Sequence, residues 1–227
     1  MNDYKIKRMD GEHVLILGGM GFIGSNLAHK IIGLGAKVTI YDNFMKGTGA
    51  NPMNIKEIKD LVQVVNGDIR NIKLLTKAVK DKAIIFNCAA QVSHVLSMQD
   101  PFLDIDINCA GQINVLESCR KSNDAAKIVF TGTRGQNGVA LYSPIDENHP
   151  DNPTDVYCAD KLASELYHFV YHKAYGMFTT SLRLTNTYGP RAQTTHADHS
   201  IINWLIGRAM LNETIPVFEP GTQLRDI

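Results

Sequence analysis

After a polar stretch at 1–12, the chain begins its ordered pattern with a short apolar run, His13 to Leu17, that does not alternate with polar residues and ends in glycines. Such a run predicts a strand buried on both faces, as in a parallel sheet. From Phe22 to Leu34 apolar residues recur at helical spacing, and the two patterns then take turns. Strands are predicted at Ala36–Tyr41, Leu61–Val65, Ile84–Asn87, Lys127–Thr131 and Phe178–Leu184. Helices are predicted at Ile72–Val79, Asp104–Lys121 and Asp155–Tyr175. This alternation implies an α/β fold, a doubly wound parallel sheet of Rossmann type covered on both faces. After Gly189-Pro190 the pattern changes to a polar loop at 191–200, an apolar helix at Ile201–Leu211 and a short strand at Ile215–Phe218. Residues 1–190 are therefore expected to form one domain, and 191–227 the beginning of a smaller domain that is cut short.

Doubly wound sheets bind ligands outside the carboxyl ends of their strands, and the informative residues cluster there. Gly18-Gly19-Met20-Gly21-Phe22-Ile23-Gly24 closes the first strand and opens the first helix. Gly18 permits the tight turn, Gly21 lets the backbone approach a pyrophosphate, and Gly24 lets helix pack on strand. The amides of the first turn, Phe22 and Ile23 among them, offer N–H groups and the positive end of the helix dipole to phosphate. Asp42, at the end of the second strand, is placed to accept hydrogen bonds from a ribose diol and to repel a 2′-phosphate, which favours NAD over NADP. Its neighbour Asn43 shares that turn, and Asp68-Ile69 after the third strand is placed to reach the adenine.

Tyr157 and Lys161 lie four apart, on one face of a predicted helix. A cation near the phenol favours phenolate, so Lys161 is expected to bring Tyr157 toward a working pKa. Thr133, upstream at the end of the fifth strand, adds a hydroxyl for the reacting oxygen.

Composition narrows the function classes. Lys plus Arg and Asp plus Glu are 23 each, so nothing points to nucleic acid or an anionic membrane. No run reaches the roughly 18–20 apolar residues that span a bilayer, and the first dozen residues lack a signal-peptide core. Cys88, Cys109, Cys119 and Cys158 show no CxxC spacing and read as reduced thiols of a cytoplasmic protein. The eight histidines include no HExxH or Cys/His cluster, so no metal site is expected.

The combination of the glycine loop, Asp42, Asn87-Cys88-Ala89-Ala90-Gln91, Thr131-Gly132-Thr133, Tyr157-Cys158-Ala159-Asp160-Lys161 and Arg183-Leu184-Thr185-Asn186-Thr187-Tyr188-Gly189-Pro190 resembles the extended short-chain dehydrogenase/reductase family. The likeness runs from about His13 onward, and is nearest to the nucleoside-diphosphate-sugar epimerases and dehydratases. It implies Thr133, Tyr157 and Lys161 as the catalytic set, with Lys161 also holding the nicotinamide ribose. It implies that Ala89, Ala90 and Gln91 line the cofactor path, that Asn108 supports the active site, and that Asn186 and Arg225 bind the substrate diphosphate. It further implies a homodimer through the helices at Asp104–Lys121 and Asp155–Tyr175.

Two positions depart from the family pattern. Dehydratases carry an acidic pair after the catalytic threonine, whereas this chain has Arg134-Gly135; Asn137 stands where an aromatic is usual. Elimination is thereby disfavoured, and an NAD-dependent nucleotide-sugar epimerase is expected: oxidation to a keto-sugar, then return of hydride. A 4,6-dehydratase or keto-sugar reductase is the enzymatic alternative, and a non-catalytic NAD-binding protein the alternative of another class. The resemblance also implies about a hundred further residues to complete the nucleotide pocket.

Overall fold

A computed structural model describes residues 7–197, 200–217 and 219–221. Six strands, β1 (His13–Leu17), β2 (Lys37–Asp42), β3 (Val62–Asn66), β4 (Ile84–Asn87), β5 (Lys127–Thr133) and β6 (Phe178–Leu184), form one parallel sheet in the order β3-β2-β1-β4-β5-β6. The helices are α1 (Phe22–Gly33), α2 (Ile72–Ala78), α3 (His94–Gln99), α4 (Pro101–Ile105), α5 (Gly111–Ser122), α6 (Val156–Tyr175) and α7 (Ile201–Met210). The order reverses between β1 and β4, which opens a crevice at their carboxyl ends.

The unalternating first strand has a direct explanation. Val14 and Ile16 join Val38, Ile40, Ala28 and Ile31 on one side of the sheet, while Leu15 and Leu17 join Ile85, Val115, Leu116 and Ile128 on the other. Each face has its own core, so every β1 residue after His13 is buried. Each such side chain contributes about 1.5–3 kcal/mol.

Coverage of both faces does not extend to the edges. β3 is mostly exposed, and β6 is exposed at alternate positions, with Phe178 and Leu182 open to solvent. Each of these edge strands pairs with a neighbouring strand on one side only.

Most expected boundaries hold to within a residue. β5 runs two residues further than expected, because Gly132 and Thr133 pair with Arg183 and Leu184 of β6. The expected helix at Asp104–Lys121 is instead α4, a π turn at Asp106–Ala110, and α5. The 3₁₀ segment Pro52–Leu61 and the short α3 were not expected. The expected strand at Ile215–Phe218 is not formed at 215–217, which is exposed and irregular; Phe218 lies outside the described residues. An apolar triplet becomes a strand only beside a partner edge, and these residues have none among the described ones. α7 is tied back to the preceding loop: Asn203 Oδ1 accepts from the Gly189 amide at 3.2 Å, and Asn203 Nδ2 donates to the Thr187 carbonyl at 3.2 Å.

Candidate active site

A cleft of about 300 Å³ opens at the carboxyl ends of the strands. Its walls include Gly18, Gly21, Phe22, Ile23, Gly24, Asp42, Asn43, Asp68, Ile69, Ala89, Ala90, Thr133, Tyr157, Lys161 and Asn186. Segments far apart in the chain thus meet at one cleft. Gln91 and Asn108 do not line the cleft. They form a buried layer beneath it, where Asn108 accepts from the Gln91 amide at 3.2 Å and donates to the Gln91 carbonyl and to Asp104 Oδ1, each at 2.9 Å. Asn108 sits within the π turn, a feature that often marks a functional region. Arg225 lies outside the described residues.

The glycine loop fits a dinucleotide on geometric grounds. Gly18 has φ +73°, and a Cβ there would stand 2.8 Å from the Cys88 backbone. A Cβ on Gly24 would stand 2.4 Å from the Gly18 carbonyl oxygen. At Gly21 a Cβ would meet only that same oxygen, at 3.5 Å; what it would fill is the open cleft. α1 begins with no side-chain cap and no acidic residue in its first turn, which suits an anion at its N-terminus.

Asp42 is buried and held by two backbone donors, Met20 N at 3.0 Å and Phe44 N at 2.8 Å. Burial raises its pKa, and these two bonds oppose the rise. Asp68, by contrast, is held down to about 2, first by its bond to Arg70. Asn43 Nδ2 donates to Asp68 Oδ2 at 2.7 Å, joining the ends of β2 and β3 into one polar rim.

Thr133 is locked from both sides. Its amide donates to Gln136 Oε1 at 2.8 Å, and its hydroxyl accepts from the Gly135 amide at 3.1 Å, a capping box for the 3₁₀ turn Arg134–Asn137. The Thr-x-x-Gln spacing was the legible sign of this support. Arg134 is turned away onto the Gly138 carbonyl, at 3.0 Å.

Tyr157 and Lys161 sit in the first turns of α6, which Asp155 caps through the Cys158 amide. Both are buried. Burial pushes the Tyr157 phenol above its ordinary value, with Cys158, Asp104 and Asp155 adding to the rise and Thr133 opposing it. Burial also brings Lys161 down to about 8, and its ammonium lies 4.1 Å from the centroid of Phe130. The expectation that Lys161 lowers the phenol pKa is therefore corrected for the protein alone. Desolvation of a phenolate in a closed setting, with the Asp104 and Asp155 carboxylates adding to it, outweighs the one group that favours the phenolate, the Thr133 hydroxyl.

His94, not assigned a role by the motifs, lines the cleft and packs edge-on against Tyr157, with ring centroids 4.8 Å apart. Ser200 and Asn203, polar positions past Gly189-Pro190, also line it. All four cysteines are free thiols, Cys88 being half-buried and the other three buried. No helix among the described residues is long and apolar enough to cross a membrane.

The sequence profile of the NAD dependent epimerase/dehydratase family matches residues 14–227. A putative UDP-glucose 4-epimerase of Methanocaldococcus jannaschii is 37% identical over 215 residues, spanning 94% of this chain and 68% of the relative. Among solved structures, UDP-glucose 4-epimerase of Thermus thermophilus in complex with NAD superimposes with a TM-score of 0.80 at 30% identity, covering 90% of this chain and 65% of that one. UDP-N-acetylglucosamine 4-epimerase of Methanobrevibacter ruminantium, in complex with UDP-N-acetylmuramic acid, gives a TM-score of 0.85 at 27% identity, covering 92% and 66%. The chain thus spans about two thirds of the length of the proteins it resembles.

Proposed function

The chain belongs to the NAD dependent epimerase/dehydratase family, and from that premise we propose that the protein is an NAD-dependent nucleotide-sugar epimerase. One observation carries the reading: Thr133, Tyr157 and Lys161 share a single cleft with the glycine loop, Asp42 and Asn186. Residues 1–190 supply the cofactor platform, and those from 191 onward contribute to the substrate end.

In this mechanism Gly18, Gly21 and the first turn of α1 hold the pyrophosphate, Asp42 the adenosine ribose, and Lys161 the nicotinamide ribose. Bound NAD would supply a hydride acceptor and a cationic ring. Tyr157 would take the proton from the sugar hydroxyl that is oxidised, and Thr133 would hydrogen-bond the same oxygen. The keto-sugar would then turn its other face to the cofactor, and Tyr157 would return the proton to the same oxygen. Asn186 and Arg225 hold the diphosphate during the turn. Elimination needs an acid beside Thr133, but the residue there is Arg134, engaged with a carbonyl.

The test is to incubate the protein with UDP-hexoses and CDP-hexoses in heavy water and follow products by mass spectrometry and NMR. The expected product is an epimer carrying no solvent deuterium at the inverted carbon, formed without net consumption of NADH. Loss of water would mean a dehydratase, and stoichiometric NADH use a reductase; either outcome ends the epimerase reading. Asp42→Ala should weaken NAD by about 10–100-fold, as loss of charge-assisted bonds implies, and NADP much less.

The same reading includes a homodimer and a cytoplasmic setting. Leu166, Phe169 and Val170 form an exposed apolar stripe on α6, and the adjacent α4 exposes Phe102 and Ile105. Free thiols accord with a reducing compartment. Sedimentation at micromolar concentration should give twice the chain mass.

A further inference from the structure

Three donors of different chemistry meet where α6 begins. His94 Nδ1 lies 2.7 Å from Asp155 Oδ2 and 3.8 Å from Cys158 Sγ. One donor atom from each of the three residues lies within 4.8 Å of the other two. Two helix starts aim them at one point: His94 opens α3, while Asp155 caps α6 and Cys158 sits in its first turn. Asp155 Oδ1 is fixed by the Cys158 amide at 2.8 Å, which leaves Oδ2 turned to the imidazole.

The thiol is placed as firmly as the carboxylate. Cys158 is buried, and a Cβ on Gly135 would stand 2.5 Å from its sulfur, so the backbone packs directly on it. The imidazole closes the cluster on the cleft side and stays 47% exposed, so one side of the cluster remains open. The Asp155 carboxylate faces both the imidazole and the Cys158 thiol, and the sulfur faces the same imidazole nitrogen, so each of the three groups meets the other two.

Tetrahedral zinc takes sulfur at about 2.3 Å, and nitrogen and oxygen at about 2.0–2.2 Å, which sets the donors roughly 3.4–3.6 Å apart. To reach that arrangement the carboxylate backs off the imidazole from 2.7 Å, and the sulfur closes in from 3.8 Å to the imidazole and from within 4.8 Å to the carboxylate. We infer that His94, Asp155 and Cys158 form a binding site for a zinc-class divalent cation, with its fourth position left to water.

Binding balances simply. The Cys158 thiol releases its proton to solvent and the sulfur bonds the ion. A neutral imidazole moves its proton from Nδ1 to Nε2, freeing the Nδ1 lone pair, and the Asp155 carboxylate exchanges that hydrogen bond for a metal bond. No oxidation state changes. Since Cys158 follows Tyr157 in the chain and His94 packs on the Tyr157 ring, an ion held here fixes both neighbours of the phenol and lowers turnover. Binding itself does not rest on the epimerase reading and is measured without substrate.

The experiment is a titration of the purified protein with Co²⁺, followed by absorbance. Expected are visible ligand-field bands of tetrahedral strength and a thiolate-to-cobalt charge-transfer band in the near ultraviolet, both removed by Zn²⁺. Cys158→Ser should melt like the wild type and lack the charge-transfer band. His94→Ala should weaken binding at least about 10-fold, since loss of even an outer-shell partner costs that much. His94 is half-exposed, so this second variant tests the site even if Cys158→Ser does not fold. Absence of the bands in the wild type, a charge-transfer band that survives in Cys158→Ser, or unchanged affinity in His94→Ala would each overturn the inference.

Discussion

At the end of β1 the wall of the cleft is backbone. Three glycines and the uncapped start of α1 present amides and open space, and the strand behind them is buried on both sides. At the end of β5 the wall is side chains. Thr133 is held by Gln136, Tyr157 is flanked by His94, and beneath the adjoining loop Gln91, Asp104 and Asn108 form a buried polar layer. The first wall tolerates no added carbon at Gly18 or Gly24; the second depends on particular hydrogen bonds. The difference teaches that one cleft can carry two kinds of fragility, steric on the cofactor side and electrostatic on the chemical side.

That contrast can be broken by experiment. The largest effect is expected at Tyr157→Phe, which should cut turnover by at least about 10²–10⁴-fold, the range for loss of a general acid/base, and leave NAD affinity within about threefold. A comparable loss of NAD binding would show that the Tyr157 hydroxyl, and not Lys161 alone, carries the cofactor on this wall. Gly24→Ala should act through packing instead, because its methyl meets the Gly18 carbonyl. A cost of about 2–3 kcal/mol is expected, seen as a melting temperature lower by roughly 5–10 °C.

The chemical side should also be the acid-sensitive one. His168 on α6 is buried beneath β5, stacked on Phe130 at 4.6 Å, with Nδ1 donating to the Ser164 carbonyl at 2.9 Å. Burial holds its pKa down to about 4. In the window from the unfolded value near 6.5 down to about 4 the unfolded chain binds more protons, so acid favours unfolding. The contribution is intact above that window and lost as pH falls through it, by about 2–3 kcal/mol. Denaturant melts of His168→Gln between pH 7 and pH 4 should lack that slope. The smallest effect is expected at Gln136→Leu, which frees Thr133 at a cost of about 1 kcal/mol in stability and lowers turnover about 10-fold through misplacement of the hydroxyl. Unchanged kinetics would demote the capping box to a purely local device.

Much of this was legible in advance. β1 and β4 fall where their apolar runs predicted, and the helix carrying Tyr157 and Lys161 begins just after Asp155. Legibility fails where a residue's partner is remote. Gln91 and Asn108 stand 17 apart, and their mutual bonds place both beneath the cleft rather than on it. His94 meets Asp155 and Cys158 more than 60 positions away, with no spacing to announce it. The strand expected at 215–218 failed for a related reason, since strand character in 215–217 needed an edge to pair with.

The amino-acid sequence alone determined the parallel sheet, its cofactor end and the Tyr157–Lys161 helix face, because strand burial, helical period and glycine conformation act over a few neighbouring residues. Only the tertiary structure decided what surrounds the phenol, how far burial shifts its pKa, and which side chains close the chemical wall. Those depend on desolvation and on hydrogen bonds between groups that only folding brings together.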